Sequence, residues 1–297
     1  MSAAPVVSII MPCFNAEQTL PWAIASLQAQ TFEDWECIVV DDGSTDASAE
    51  IARALGDSRV KVIKLERNRG RGAARQIALE HASGEYLAML DADDWLYPSK
   101  LARQVEALDS EPKFSLVSAG MAIVDVDEML VGIRCRGPLS GSYRKPVMPP
   151  VAFGPSMLRM DIARNIGFDS SLGMSEDIDL LIAYLLGKEY LLLPDVVYAY
   201  REFASVTLKK AVVGFQSLRA IHRKYHRRYP FTSLRNTVRE YAKESIYRGA
   251  FTAGLGRVLV SRRSAPAALA DLLEYDNARE AVGLVFGGRP SPVEVSS

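Results

Sequence analysis

Residues 91–94 read Asp91-Ala92-Asp93-Asp94 and follow directly on the apolar run Tyr86-Leu87-Ala88-Met89-Leu90. Three carboxylates in four residues repel one another, and without a counter-charge each raises the pKa of its neighbours. A strand that ends in such a cluster delivers it to a cation, to sugar hydroxyls, or to both. Hard divalent cations prefer oxygen ligands, and Mg²⁺ is typically held by one or two carboxylates together with substrate phosphates. The same run also suits a solvated turn that caps a helix, since Asp94 precedes Trp95-Leu96-Tyr97-Pro98 and a helical stretch. A motif this short does not separate the two readings by itself.

The elements around it narrow the choice. Val6–Met11 reads as a buried strand stopped by Pro12, with Asn15 placed to cap a helix through Leu20, Ile24 and Leu27. Glu36–Val40 is a second strand, Asp41-Asp42-Gly43-Ser44 a turn, and Asp46 a cap for a helix through Ile51 and Leu55. Val60–Leu65, a helix near Ala73–Ala82, the strand Glu85–Leu90 and a helix near Ser99–Leu108 follow. Near-continuous apolar strands alternating with helices imply a parallel sheet covered on both faces. Ligands bind such sheets outside the carboxyl ends of the strands. Asn15, Asp41, Asp42, Asp91, Asp93 and Asp94 all fall at those ends, so separate segments converge on one sheet edge.

Beyond residue 110 the pattern loosens. Phe114–Ala119, Met121–Val126 and Val196–Tyr200 read as strands, Asp161–Gly167 and Ser175–Leu186 as helices, with Glu176 and Asp177 in the first turn of the latter. From about residue 210 the chain becomes helical, over Val212–Arg228 and Leu234–Val260 with a break at Pro230. The 297 residues, 48% hydrophobic and 24% charged, are typical of a globular protein. A net charge of −1 conceals an acidic body, 1–208, at −10, and a segment, 209–263, with 14 Lys/Arg against Glu240 and Glu244 only. That asymmetry suggests two jobs. The basic stretch, from Arg219 through Arg223, Lys224, Arg227, Arg228, Arg235 and Arg239 to Lys243, suits a solvated helix face or an anionic membrane surface, and nucleic acid less well; His222 and His226 read as part of it. Cys13, Cys37 and Cys135 lack metal-ligand spacing and fit a reducing compartment. The start of the chain lacks the pattern of a signal peptide, and no apolar run approaches the ~18 residues of a membrane span.

Glycine-rich phosphate loops are missing: Pro12-Cys13-Phe14-Asn15-Ala16 follows the first strand, and no G-x-x-x-x-G-K-[ST] occurs. A cation bridging a diphosphate to carboxylates is the alternative. In this setting the runs Val7–Glu17, Gln30-Thr31-Phe32, Val39–Asp46, Asn68-Arg69-Gly70, Ala74-Arg75, Gly84-Glu85-Tyr86, Asp91–Asp94 and Ser175-Glu176-Asp177 resemble, in order, the family 2 glycosyltransferases. The likeness spans residues 6–207 and implies an α/β GT-A fold, a Rossmann-like and mostly parallel sheet with helices on both faces, here with a C-terminal helical extension. It divides the chain into a catalytic domain (1–208, with a nucleotide-sugar half to about 110 and an acceptor half beyond), a basic helical extension (209–286) and a disordered tail (287–297).

The resemblance also implies roles. Pro12, Phe14 and Asn15 would line the base pocket, with Asp42 accepting from the base. Arg75 would lie near the nucleotide and Asp91 near the ribose or donor sugar. Asp93 would bind Mg²⁺ or Mn²⁺ through the diphosphate, and Asp177, oriented by Glu176, would be the catalytic base. The implied reaction is an inverting transfer of one sugar from a nucleotide-diphosphate sugar, a UDP-sugar being the expected donor, to a glycan or lipid-linked acceptor in surface polysaccharide synthesis. The expected location is cytoplasmic and peripheral to the membrane. One departure stands out: many relatives carry Tyr-Arg-x-His after the catalytic helix, and here Phe203 follows Tyr200-Arg201-Glu202. An extra metal-bound water, help from Glu202, or weakened metal dependence would each accommodate it. A nucleotidyltransferase would require a glycine-rich loop after the first strand; a non-catalytic nucleotide-sugar-binding scaffold is the alternative from another class.

Overall fold

The computed structural model describes residues 4–55, 57–202, 207–256 and 264–288. Its first half alternates as expected: β1 (Val7–Cys13), α1 (Leu20–Gln28), β2 (Trp35–Asp41), α2 (Ser48–Ala54), β3 (Val60–Lys64), α3 (Arg71–His81) and β4 (Tyr86–Met89). β1 is central, parallel to β2 on one side and β4 on the other, with β3 outside β2. Ile9, Met11, Cys37 and Val39 face one core layer, while Ile10, Ile38, Val40 and Leu87 face the other. Burial on both faces is why these strands read as continuous apolar runs.

The second half is mixed. β5 (Trp95–Leu96), α4 (Lys100–Ser110), β6 (Phe114–Val124), β7 (Leu130–Arg134), β8 (Leu139–Ser142), β9 (Met157–Arg159), α5 (Met160–Ile166), α6 (Glu176–Leu185) and β10 (Glu189–Arg201) complete it. The main path of the sheet runs β3-β2-β1-β4-β9-β6-β10-β5, with β9 antiparallel between β4 and β6. Two expectations change. The two strands expected before residue 126 are one, β6: at Gly120 an added Cβ would lie 3.1 Å from the Asp195 carbonyl, so the small residue marks a close approach rather than a break. The short strand expected at Val196–Tyr200 is the end of the 13-residue β10, which carries Pro194 through register shifts around Leu192 and Val196. A bulge is where a sheet accommodates proline.

Among the described residues three helices follow: α7 (Leu208–Lys224), α8 (Pro230–Thr252) and α9 (Leu269–Phe286). Pro230 starts α8, where its missing N–H costs nothing. α7 packs Leu218 and Ile221 against Ile182 of α6. α9 returns to α1, with Tyr275 and Val282 joining the Trp22, Trp95 and Tyr97 cluster.

Of the two expected caps, Asn15 is not one: α1 begins at Leu20, five residues beyond it. Asp46 does serve the start of α2, for its Oδ1 accepts from the N–H (3.0 Å) and Oγ (2.5 Å) of Ser48, the first residue of that helix. Asn15 and Asp46 also tie neighbouring loops together. Asn15 Oδ1 accepts from the Thr45 N–H (2.9 Å), its own N–H donates to Ser44 Oγ (2.9 Å), and Asp46 Oδ2 accepts from the Glu17 N–H (3.1 Å).

Candidate active site

A cleft of about 980 Å³ opens at the carboxyl ends of β1, β2 and β4. Pro12, Phe14, Asn15, Asp42, Asp91 and Asp93 line it, as do Asn68, Gly70 and Arg71 at the start of α3. Gly173, Met174, Tyr200 and Lys210 close the opposite side. The loops are drawn together by buried polar groups. Asp42 is 3% exposed, and its two oxygens accept from the Arg69 N–H (2.7 Å) and the Gly70 N–H (2.8 Å). Gly43 has φ +73°, and a Cβ there would meet the Arg67 carbonyl carbon at 2.6 Å, so the turn admits only glycine. Asp41 faces inward, where its Oδ1 accepts from the Ser44 N–H (2.9 Å).

The acidic run divides into three different environments. Asp94 is fully buried: its carboxylate accepts from Tyr198 Oη (2.7 Å) and from the Arg201 N–H (2.9 Å), which fastens β10 beneath the loop. It neither caps α4 nor reaches the cleft. Burial first, then the charges of Asp93 and Asp91, push its carboxyl well above the ordinary carboxylate range. Asp91 accepts from Arg75 Nη2 at 2.9 Å. Asp93 forms no ion pair among the described residues and opens to the cleft. Although its surface is exposed, the cleft floor crowds it with protein. Lost hydration, with Asp91's charge second, raises its carboxyl to about 6. A carboxylate under that pressure is suited to meeting a cation.

Arg75, on α3, links the acidic loop to α6. It is 2% exposed and is no surface residue: Nη2 reaches Asp91, and Nη1 donates to Glu176 Oε1 at 2.5 Å. Burial alone would weaken its cation; Asp91, Asp177 and Glu176 more than offset this and raise its pKa above the usual arginine value. Glu176, wholly buried, also meets Arg71 Nε at 3.0 Å. Its partners are thus arginines, and it forms no hydrogen bond to Asp177 among the described residues. Asp177, in the first turn of α6, is half-buried and has neither ion pair nor hydrogen bond there. It is near enough to act on the charge of Arg75 but lies outside the lining of the main cleft. Ser175, at φ +65°, turns the chain into α6.

Sequence reasoning missed several contributors. Arg201 Nη1 donates to the Asp93 carbonyl (2.8 Å) and its Nε pairs with Glu128, so the Tyr-Arg pair supports the acidic loop while Tyr200 lines the cleft. Lys210 comes from the helical extension. No local pattern marks either contribution. Glu202 pairs with Arg134 Nη2 (2.7 Å) and is not among the residues lining the cleft. Phe203 lies outside the described residues. No group of three or more His, Cys, Asp or Glu placed to hold a metal occurs among the described residues. A site of one or two carboxylates completed by donor oxygens, as Asp93 and Asp91 would form, needs no such group.

Residues 8–167 match the model of the family described as "Glycosyl transferase family 2". The chain belongs to that family. Among curated proteins it is 32% identical over 193 residues to EpsE of Bacillus subtilis, which carries the name of a glycosyltransferase; the match covers 62% of this chain and 68% of that one. It is 41% identical over 103 residues to WfgD of Escherichia coli, a UDP-Glc:alpha-D-GlcNAc-diphosphoundecaprenol beta-1,3-glucosyltransferase, covering 35% of this chain and 41% of that protein. The chain therefore spans about two thirds of the first relative and about two fifths of the second. Among solved structures, S. aureus TarS (residues 1–349, with UDP-GlcNAc) superposes with a TM-score of 0.65 at 20% identity, covering 95% of this chain and 81% of that one. The family 2 transferase thus has the GT-A fold that the resemblance implied, with C-terminal helices added.

Proposed function

We propose that the protein moves one sugar, with inversion, from a UDP-sugar to a hydroxyl of a glycan or lipid-linked acceptor during polysaccharide synthesis. The observation that carries this reading is a nucleotide-sized cleft with Asp93 open to it and without an ion pair among the described residues, and Asp177 close enough beside the cleft to act on the charge of Arg75. The donors named for TarS and WfgD support a UDP-sugar, and the acceptor named for WfgD supports a lipid diphosphate carrier.

Pro12, Phe14 and Asn15 would hold the base, with Asp42 at its polar edge. Asp93, with Asp91 beside it, would hold Mg²⁺ or Mn²⁺, which when bound neutralises diphosphate charge as a Lewis acid. Lys210 and Arg71 add fixed positive charge along the same cleft. Asp177 would take the acceptor proton as the hydroxyl attacks, since a hydroxyl of high pKa needs a base within hydrogen-bond reach. Glu176 positions α6 by holding Arg75 and Arg71, rather than by touching the base. A lipid-linked acceptor would bring the enzyme to a membrane surface from outside, since no helix among the described residues is long and apolar enough to cross one.

Asp177→Asn tests the reading. Transfer should fall about 10²–10⁴-fold, the contribution of a positioned general base, while donor binding by calorimetry is retained. Full transfer by this variant would remove Asp177 from the mechanism. Donor binding without any transfer by the wild-type protein, across UDP-, GDP- and dTDP-sugars and lipid-linked acceptors, would favour the scaffold instead.

A further inference from the structure

Surface helices of globular proteins bury an apolar stripe and expose a polar one. Over most of its length α8 does the reverse. Its inward positions include Ser233, Asn236 and Glu240, all buried, and Glu244. Each has a polar partner: Ser233 Oγ donates to the His222 carbonyl (2.7 Å), Asn236 Nδ2 to the Pro146 carbonyl (3.2 Å), Lys243 Nζ to Glu240 Oε1 (2.8 Å) and Arg219 Nη1 to Glu244 (2.6 Å). Apolar packing returns only toward the C-terminal end, where Tyr247 meets Phe215 and Phe251. The outward positions Phe231, Leu234, Val238 and Ile246 are 58–88% exposed. At 100° per residue they fall on one stripe, roughly opposite Ser233 and Glu240.

The charges along this stripe choose its occupant. Arg235 falls between Phe231 and Ile246 around the helix and Arg239 just beyond Ile246, and Arg227 and Arg228 precede the helix; all four are exposed and none has an ion pair among the described residues. Of the cations that do have acidic partners, Arg219 and Lys224 brace α7 against its neighbours, while Lys243 and Arg248 pair within α8. An apolar stripe accompanied by uncompensated arginines matches an anionic lipid interface, where apolar groups sink below the headgroups and arginines meet their phosphates. A second copy of the chain docked face to face would set arginine against arginine.

We infer that α8 is a membrane-docking helix that lies in the plane of an anionic lipid surface, with Phe231, Leu234, Val238 and Ile246 inserted. The inference rests on the lipid-linked acceptor proposed above, for it would hold the cleft beside its substrate. The full chain should sediment with phosphatidylcholine vesicles containing 40 mol% phosphatidylglycerol, a content on the order of that in anionic bilayers, and not with phosphatidylcholine alone. Arg235→Glu with Arg239→Glu should weaken binding by about 25-fold or more, near fivefold per arginine. Phe231→Ser, Leu234→Ser and Ile246→Ser together should weaken it by about tenfold or more, with unchanged far-UV circular dichroism. Donor hydrolysis in vesicle-free solution should be untouched in both variants, because none of these residues lines the cleft. Absence of wild-type sedimentation at low salt would overturn the inference. So would retained binding by the serine variant, which would mean electrostatic adhesion without insertion. Concentration-dependent dimerisation lost in the serine variant, with no lipid binding, would assign the stripe to a second copy. Loss of donor hydrolysis in the wild-type chain would strike the enzymatic reading alone and leave the docking result standing.

Discussion

Arg75 holds two acidic groups that would otherwise face each other across the floor of the site. Removing one member of a buried ion pair leaves an uncompensated charge and costs about 3–5 kcal/mol, and Glu176 is wholly buried. Arg75→Met should therefore lower the melting temperature sharply, with Arg71, itself half-exposed, only partly relieving Glu176. Asp93→Asn is the contrasting case. It removes a carboxylate that has no ion pair among the described residues, so folding should be kept while metal-dependent binding of UDP disappears; unchanged affinity with and without Mg²⁺ or Mn²⁺, measured by titration calorimetry, would detach Asp93 from the metal. The difference between these neighbours was only partly legible in the sequence. Clustering of acids after an apolar run marked Asp91–Asp94 as a unit, but which carboxylate faces the cleft is a matter of partners distant in the chain. Asp94 reads as a cap until Tyr198 and Arg201, more than a hundred residues away, claim both its oxygens.

Among the elements, β2 shows how the parallel half is pinned at the end remote from the cleft. Glu36 is 4% exposed and accepts from Ser8 Oγ (2.7 Å), the Ser83 N–H (2.7 Å), Ser83 Oγ (2.7 Å) and Lys61 Nζ (2.6 Å), thereby joining β1, β2, β3 and the turn before β4. Burial raises its carboxyl, but these donors, Lys61 foremost, outweigh burial and hold it at about 2. A carboxyl whose pKa is lower folded than unfolded contributes stability above its unfolded value, near 4.5, and loses that contribution as pH falls toward 2. Glu36→Gln should cost on the order of 1–3 kcal/mol at pH 7. The variant's denaturant midpoint should also vary less than the wild type's between those two pH values; parallel curves would remove Glu36 from the acid sensitivity. β1, β2 and β4 were readable because burial on both faces leaves a near-continuous apolar signature. β9 was not, being three residues whose antiparallel place is set by β4 and β6, and the first half of β10 was hidden by Pro194, a residue that reads as a stop unless the bulge around it is known.

At the scale of the whole molecule, the charge asymmetry between the acidic body and the basic extension was plain in the chain, but its meaning changes once the helices are placed. Arg219 is buried against Glu244 and over the Tyr241 ring, His222 is buried rather than part of a basic face, and Lys224 bridges Asp169 and Asp179 at 2.6 Å each. Three of the eight cations of the basic stretch, Arg219, Lys224 and Lys243, therefore have acidic partners, and Lys224 ties α7 to α6, the helix that carries Asp177. Lys210 lines the cleft from the same α7. An extension that supplies a wall of the cleft and grips α6 should melt with the body, not apart from it. Ile221 is the position to test, being fully buried where α7 meets Ile182 of α6. Ile221→Ala should cost about 2–5 kcal/mol through lost burial and the cavity left behind. Because α7 and the body share that contact, calorimetry should show one transition, moved down as a whole by several degrees. UDP with Mg²⁺ should raise that same transition in wild type and variant alike, since a ligand of the folded state stabilises by mass action whatever the contact removed. A scan that splits in two, with the main peak unmoved and only a minor one lowered, would make α7 and α8 a separate unit and place Lys210 in the cleft by proximity alone.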